Sequence, residues 1–173
     1  MYISEIKTAP PEKFSSSLQE KIYSALSECG IKYERVDTDE AISMDDCTTI
    51  DSVLSVRTVK SLFLCSRSRK NFYLFITTAD KPFKSKTFSS LLGISHTSFA
   101  SQEDTLDILG TQFGAVSILA LINDRERRVQ TVIDKDVLKN TYFGCTDSTR
   151  TGYMKIFTKD ITEKFLPFSA TTV

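Results

Sequence analysis

Histidine is scarce in this sequence, and the cysteines are far apart. The 173 residues contain one histidine, His96, and four cysteines, which are Cys29, Cys47, Cys65 and Cys145. Zinc sites need ligands at short spacings such as C-x-x-C, and none is present, so we expect neither a metal nor another cofactor. A Ser-His or Cys-His catalytic pair would need His96 as its base, and the residues around it do not support that role.

The sequence also lacks an excess of charge of either sign and any long apolar run. Its 22 basic and 22 acidic residues cancel, which argues against a whole-surface grip on nucleic acid but allows a local basic patch. No apolar run approaches the ~20 residues that cross a membrane. Residues 1–5 lack the basic and then apolar profile of a secretory signal. We therefore expect a cytoplasmic protein with reduced cysteines and no membrane partner.

The pattern of apolar residues predicts a single α+β domain. A chain of this length can bury one sizeable core. Segments with helical periodicity alternate with short runs typical of strands. We expect a mixed β-sheet with surrounding helices, formed by residues 13–167. An N-terminal arm at 1–12 precedes this domain, and a C-terminal tail at 168–173 follows it.

The same patterns predict the individual elements. Helices are expected over 14–29, 43–54, 84–92, 102–109 and 158–166, and strands over 31–36, 58–65, 72–76, 98–100, 118–122, 129–134 and 153–157. The second and third strands are predicted to form one hairpin, and the fifth and sixth strands another. Leu91 and Leu106 are expected to face inward, and Pro167 is expected to end the last helix.

A single lysine interrupts the apolar run at residues 58–64. Side chains alternate between the faces of a strand, so Lys60 should share a face with Leu62 and Leu64. An ammonium group is costly to bury without a partner. One interpretation is that Lys60 points into a cleft and meets an anionic or carbonyl-bearing ligand. The alternative is a lysine that reaches water or blunts the edge of a sheet.

The predicted turn after this strand is basic. It carries three positive charges, Arg67, Arg69 and Lys70, within residues 66–71. These side chains are candidates for contacts with phosphate groups, because Lys and Arg supply most contacts of that kind. A hairpin tip that is simply solvated is the alternative.

Two later stretches are further candidates for a binding site. Small residues at 114–117 precede an apolar run, which lets a ligand or another backbone approach closely; a tight packing corner is the alternative. Residues 143–152 are predicted to form a long polar loop in which Cys145 is exposed. Loops of this kind often carry function.

Four stretches of the chain together carry a family resemblance. They are the first helix with the strand at 31–36, then residues 58–64, then residues 86–93 with 98–101 and the following helix, and finally residues 114–117 with 121–134. Each is weak alone, but the ordered set resembles the YbaK / prolyl-tRNA-synthetase-associated domain family, especially its freestanding prolyl-tRNA editing proteins. The resemblance covers roughly residues 16–166 and implies the α+β fold of that family.

The resemblance also implies an activity. Proteins of this family hydrolyse the ester of a mischarged tRNA without a metal, typically alanine on proline's tRNA. The family's lysine falls on Lys60, which would lie near the 3′-terminal nucleotide and the ester. Its Gly-x-x-Ser/Thr loop falls on Gly114 and Ser117, with Ala115 between them, where backbone amides would hold the carbonyl or the terminal adenosine. The implied partners are the acceptor end of an aminoacyl-tRNA and, second, an aminoacyl-tRNA synthetase.

Several positions depart from the family pattern. Ile118 and Ala120 stand where the family usually has proline and glycine. A later Phe-His-Pro is replaced by residues 145–147, so that a threonine takes the place of the histidine, and an Asn-Thr is replaced by residues 150–151. The candidate substrate-binding residues that would reshape the pocket here are Thr146, Asp147 and Arg150.

These observations leave three hypotheses. The first is a trans-acting deacylase with Lys60 as its catalytic residue and with altered amino-acid preference. The second is a module of the same fold that binds tRNA or a synthetase without chemistry. The third is an activity that depends on Cys145, for which the sequence offers no base and no positive neighbour beyond Arg150.

Overall fold

The computed structural model describes residues 1–41 and 43–171 of the protein. Its helices are α1 (Ser17–Glu28), α2 (Met44–Leu54), α3 (Ser85–Leu92), α4 (Gln102–Leu109), α5 (Lys135–Leu138), α6 (Thr158–Asp160) and α7 (Leu166–Thr171). Its strands are β1 (Tyr33–Asp37), β2 (Lys60–Ser66), β3 (Phe72–Thr77), β4 (Thr97–Phe99), β5 (Val129–Ile133), β6 (Tyr142–Thr146) and β7 (Gly152–Phe157). The mixed order of helices and strands confirms the α+β prediction.

The strands form two sheets that meet at one point. The first has the order β1-β7-β6 and is antiparallel, and the second has the order β4-β2-β3-β5, in which only β3 and β5 run parallel. A bridge between Thr58 and Gly144 joins them, and the Val59 N–H donates to the Gly144 carbonyl at 2.8 Å. A Cβ at position 144 would lie 2.8 Å from the Arg57 carbonyl oxygen, so the junction requires glycine.

Three apolar clusters cover the faces of these sheets. The main one joins α1 to β2, β3, β6 and β7, and the predicted stripe on α1 is buried in it through Leu18, Ile22 and Leu26. Helix α2 covers the three-stranded sheet. Helix α3 covers the outer face of the four-stranded sheet, where Leu64 packs with Phe88. Burial of this apolar surface is the main force that holds the helices on the sheets.

The predicted second hairpin is wrong. Residues Ile118–Asn123 form a 3₁₀ helix, and its first four residues are buried. Its N-terminus is fixed by Ser117, whose Oγ accepts a hydrogen bond from the Leu119 N–H at 3.0 Å. A short apolar run suits a buried helix as well as a buried strand, so periodicity alone could not decide between them. Strand β5 therefore pairs with β3, in parallel.

Half of the predicted polar loop at 143–152 is strand. Strand β6 occupies Tyr142–Thr146 and pairs with β7, so that the connection shrinks to residues 147–151. Cys145, expected to be exposed, is 1% exposed. The prediction failed because the polar residues of this segment are buried with hydrogen-bond partners inside the protein, a state that composition does not reveal.

Several finer predictions also change. Leu91 and Leu106 are 82% and 59% exposed, although both were expected to pack inward. Pro167 does not end the last helix, because the π-helical turn Ile161–Phe165 precedes it and α7 continues to residue 171. A π turn shifts the hydrogen-bond ladder, which accommodates the missing proline N–H. The predicted tail thus begins as helix, and residues 172–173 lie outside the described part.

The N-terminal arm lies against the first sheet. The Ser4 N–H donates to the Asp37 carbonyl, and Lys7 exchanges two backbone hydrogen bonds with Arg35. The ammonium of Lys7 also pairs with the Asp37 carboxylate at 3.0 Å. Across the described ranges, no helix combines the length and the apolarity that a membrane crossing needs.

Candidate functional site

A groove of about 460 Å³ lies between the first half of β2 and the loop at residues 113–116, and we call it the edge groove. Its walls are mainly apolar and aromatic, and they are formed by Cys47, Thr58, Val59, Ser61, Leu62, Phe63, Phe99, Phe113, Gly114, Val116, Cys145, Thr146 and Tyr153. A concave, largely apolar pocket with a few polar groups is the usual form of a small-ligand site.

The groove exists because β2 has no neighbour along part of one edge. On that edge the Val59 N–H reaches Gly144, and the Phe63 carbonyl accepts from the Ala100 N–H. Successive residues of a strand direct their N–H and C=O groups to opposite edges, so those of Ser61 face the gap between these two bonds. Among the described residues, no hydrogen bond reaches these groups on this side of the strand, and none reaches the Ser61 hydroxyl.

Helix α2 fixes the start of this wall. The Asp51 carboxylate accepts hydrogen bonds from the Thr58 N–H at 3.1 Å and from the Thr58 Oγ1 at 2.6 Å. Cys47, one turn earlier on the same helix, lines the groove. The helix itself is capped at its N-terminus by Ser43, whose Oγ accepts from the Asp46 N–H at 3.1 Å.

In the predicted glycine loop, Gly114 lines the groove, whereas Ala115 and Ser117 are buried behind it. Gly114 lines the groove with φ of 83°, a conformation that favours glycine. Ala115 is buried behind it, and its carbonyl accepts from the Thr146 Oγ1 at 3.2 Å. Ser117 is fully buried and caps the 3₁₀ helix. The loop is therefore held from behind by Thr146, which itself lines the groove.

Asp147 does not line the groove. Its fully buried carboxylate accepts hydrogen bonds from the Gln19 Nε2 at 2.8 Å and the Tyr23 hydroxyl at 3.0 Å. It also accepts from the Thr149 N–H at 3.2 Å and the Thr149 Oγ1 at 2.6 Å. Burial, together with the Asp147 charge, raises the pKa of the Tyr23 hydroxyl, which keeps that donor protonated. Asp147 thus ties the 147–151 turn to α1.

Arg150 lies at the rim of the groove. Its Nη2 donates to the Phe113 carbonyl at 3.1 Å, and its Nη1 pairs with the Glu40 carboxylate at 3.3 Å. A Cβ at Gly114 would lie 3.6 Å from the Arg150 Nε. The guanidinium therefore links the turn after β6 to the loop that forms the opposite wall.

Lys60 is beside the groove, although its neighbours Val59 and Ser61 line it. Leu62 and Leu64, which were predicted to share its strand face, pack into the cluster under α3. The Lys60 side chain is partly buried, and its Nζ donates to the Lys81 carbonyl. The ammonium therefore has a protein partner in the 78–84 loop, which does not line the edge groove.

The three basic residues of the β2–β3 turn lie at the other end of β2. The Arg69 Nη2 pairs with the Asp104 carboxylate at 2.8 Å, whereas no carboxylate of the described residues pairs with Arg67 or Lys70. A separate cavity beside this turn is lined by Arg67, Arg69 and His96. The structure thus separates the basic turn from Lys60 by the length of a strand.

Most of the groove residues were not among the predicted site residues, and Cys47, Ser61, Phe113 and Tyr153 are examples. Cys47 and Tyr153 come from α2 and β7, which only tertiary packing brings together. The sequence did offer an indication for Phe113, because it is an aromatic residue directly before the candidate glycine. No set of three or more His, Cys, Asp or Glu side chains in the described ranges is placed to hold a metal ion.

Cys145 is not activated as a nucleophile. Burial raises the pKa of its thiol, and the Asp147 charge raises it further, so the thiolate is disfavoured at neutral pH. We expect iodoacetamide at pH 8 to label Cys29 and Cys47 at least about tenfold faster than Cys145 in the folded protein, because only thiols that water reaches react readily. Mass spectrometry of the peptides measures this. Equally fast labelling of Cys145 would revive the cysteine hypothesis.

A family model of the aminoacyl-tRNA editing domain matches residues 38–164. The prolyl-tRNA editing protein ProX of Acetoanaerobium sticklandii is 28% identical over 120 residues, which are 69% of this chain and 73% of that protein. Prolyl-tRNA synthetase associated domain-containing protein 1 of Danio rerio is 27% identical over 146 residues, which are 83% of this chain and 79% of that protein.

A solved structure has the same fold. It is described as a candidate trans-editing enzyme for prolyl tRNA synthetase and aligns with a TM-score of 0.67 and 17% identity, over 92% of this chain and 96% of the other. The family match spans the groove walls from Cys47 to Tyr153. It confirms the resemblance that the sequence suggested. The chain belongs to the aminoacyl-tRNA editing domain family.

Proposed function

We propose that the protein is a trans-acting deacylase that hydrolyses the ester of a mischarged aminoacyl-tRNA, with alanine on proline's tRNA as the reference substrate. The observation that carries the proposal is the edge groove, with its unpaired Ser61 backbone groups opposite the Gly114 loop. A small aminoacyl group and a ribose are the kind of ligand that such a groove holds. Residues 13–167 form the domain that carries this function.

The reaction requires little beyond placement. Water attacks the ester carbonyl and gives up a proton, the bond to the ribose oxygen breaks, that oxygen takes up a proton in turn, and the amino acid leaves. No metal is needed, because an aminoacyl ester is already activated and donors aimed at the developing oxyanion lower the barrier. The Ser61 N–H and the Lys60 ammonium are the donors, and Lys60 exchanges the Lys81 carbonyl for the substrate.

The Gly114 loop holds the other side of the substrate. Gly114 lets the backbone approach the carbonyl or the terminal adenosine, while Ala115 and Ser117 keep the loop in place from behind. Thr146 stands where the family has histidine and contributes a small polar wall. Asp147 and Arg150 shape the groove indirectly by fixing the turn behind it and the rim above it.

The partners follow from this substrate. The acceptor end of the tRNA enters the groove, and Arg67, Arg69 and Lys70 are candidates for phosphate contacts. A synthetase that releases the mischarged tRNA is the second candidate partner. A cytoplasmic location belongs to the same proposal, since aminoacyl-tRNAs are made and used there.

One observation favours a second function. The Lys60 ammonium is already bonded to the Lys81 carbonyl, as expected of a structural lysine. In that case the protein holds the acceptor end of a tRNA in the edge groove without hydrolysing the ester. The two functions differ in whether amino acid is released.

Release of amino acid distinguishes the two functions, and a variant that fills the groove tests whether the release takes place there. We expect wild-type protein to release amino acid from at least one member of a panel of mischarged tRNAs, and Val116→Phe, which fills the groove, to lower that rate by at least about tenfold. Val53→Phe, on the exposed face of α2, is the matched control and should retain the rate. Release that Val116→Phe does not affect would place the chemistry outside the groove. Binding of the panel without release would establish the second function.

A further inference from the structure

An exposed aromatic side chain connects the edge groove to the basic turn. Phe99 is 60% exposed at the end of β4, which is an edge strand of its sheet. It lines the edge groove on one side and, on the other, a cavity of about 590 Å³ beside the β2–β3 turn. Among the described aromatic pairs its ring contacts only that of Phe83, in a T-shaped arrangement with a centroid distance of 5.6 Å, and most of the Phe99 side chain faces solvent.

The second cavity is basic. Arg67, Arg69 and His96 line it together with Asp104. The Asp104 carboxylate is neutralised by Arg69, with two hydrogen bonds at 2.8 and 3.2 Å. The charge of Arg67 is therefore left over, and Lys70 adds another at the tip of the turn. An exposed aromatic ring next to uncompensated cations is the combination that binds single-stranded nucleic acid.

We propose that the unpaired 3′ end of the substrate RNA crosses Phe99 on its way into the edge groove. One base stacks on the Phe99 ring, and the phosphates on its 5′ side lie toward Arg67 and His96. The terminal nucleoside then reaches the open edge at Ser61 and the Gly114 loop. This inference rests on the proposed function and adds the path by which the acceptor end arrives.

The path also explains why the basic turn lies far from Lys60. Consecutive nucleotides of an extended strand are several ångströms apart, so phosphates two or three positions from the ester cannot lie in the groove itself. A base stacked on Phe99 tolerates any sequence, because every base has a π face. The stacking site therefore positions the strand without restricting which tRNA it belongs to.

The test uses an RNA hairpin that carries no amino acid and ends in four unpaired 3′ nucleotides. The fluorescent base 2-aminopurine is placed at each unpaired position in turn. We expect the wild-type protein to quench the fluorescence of one internal position through stacking. Phe99→Ala should abolish that quenching and weaken binding by about tenfold. Phe157→Ala is the matched control, since Phe157 is 43% exposed and also contacts one aromatic ring, that of Tyr142, but lies on the other sheet.

A charge variant tests the other half of the path. Arg67→Gln should weaken binding of the same hairpin and lower the slope of log affinity against log salt by about one, as expected for the loss of one phosphate contact. Lys159→Gln, on the exposed surface of α6, should leave the slope unchanged. A slope equal to that of the wild type in Arg67→Gln would remove this residue from the path.

The outcomes separate this inference from the proposed function. If amino acid is released and Phe99→Ala matches the wild type in quenching and affinity, the deacylase stands and the path is wrong. If Phe99→Ala loses quenching while no mischarged tRNA is hydrolysed, the path stands and the deacylase is wrong. Loss of binding in Phe157→Ala to the same extent would also overturn the path, because the effect would then be general.

Discussion

We expect the replacement of Lys60 by methionine to lower the rate of ester hydrolysis by at least about 100-fold and to change the free energy of unfolding by less than about 1 kcal/mol. The rate falls because a donor aimed at a developing oxyanion is worth about two to three orders of magnitude. Stability changes little because two effects offset each other. The variant loses the hydrogen bond to the Lys81 carbonyl, but it also avoids the cost of keeping an ammonium group partly buried. Single-turnover release of amino acid and urea unfolding measure the two effects.

Lys84→Met is the matched control for this variant. Lys84 lies on the same side of the four-stranded sheet, beside a different cavity, and does not line the edge groove. We expect it to retain the wild-type rate. Full activity of Lys60→Met would assign Lys60 to structure alone, with its ammonium holding the 78–84 loop. A loss of stability large enough to explain the lost rate would point to the same conclusion.

Replacing Asp147 by alanine should lower the free energy of unfolding by at least about 3 kcal/mol. Four donors from Gln19, Tyr23 and Thr149 converge on this buried carboxylate. Removing it leaves the buried donors on α1 unsatisfied, at about 1–3 kcal/mol each, and opens a cavity. The turn at 147–151 would also lose its tie to α1. Urea denaturation measures the change, with the wild type and the variant fitted to the same dependence of unfolding free energy on urea concentration.

Two further variants make this prediction specific. Asp147→Asn keeps the shape and one acceptor oxygen, so it should cost less than the alanine variant. Asp107→Ala removes an exposed carboxylate that pairs with Arg128 at 3.1 Å, and such pairs contribute about 0–1 kcal/mol. A loss in Asp147→Ala as small as that in Asp107→Ala would show that the buried cluster contributes nothing net to stability.

Local patterns predicted much of the fold. Helices α1, α2 and α3 and the β2–β3 hairpin all form close to where the sequence placed them. These features depend on contacts between residues close in the chain, such as the Ser43 side chain, which accepts a hydrogen bond from the N–H three residues later. The errors lie where distant contacts decide, as at β6, which is strand because β7 and the Thr58 bridge pair with it.

The candidate site divides in the same way. Gly114 and Thr146 are the two predicted substrate-binding residues that line the groove. Asp147 was expected in the pocket and lies behind it. The sequence alone does not show whether an aspartate is hydrogen-bonded to water or, as here, to side chains of a distant helix. The position of Ser61 on the groove was not expected, because the sequence does not show which part of a strand edge is left without a neighbouring strand.

By itself, the sequence determined the class of fold, the family and the residues that can take part in chemistry, because periodicity, caps and ordered motifs are written in neighbouring residues. Only the tertiary structure decided which of those residues share a groove, that Cys145 is buried, and that Lys60 is bonded to Lys81. Burial and pairing depend on residues that are distant in the chain and meet only when the two sheets join at Gly144.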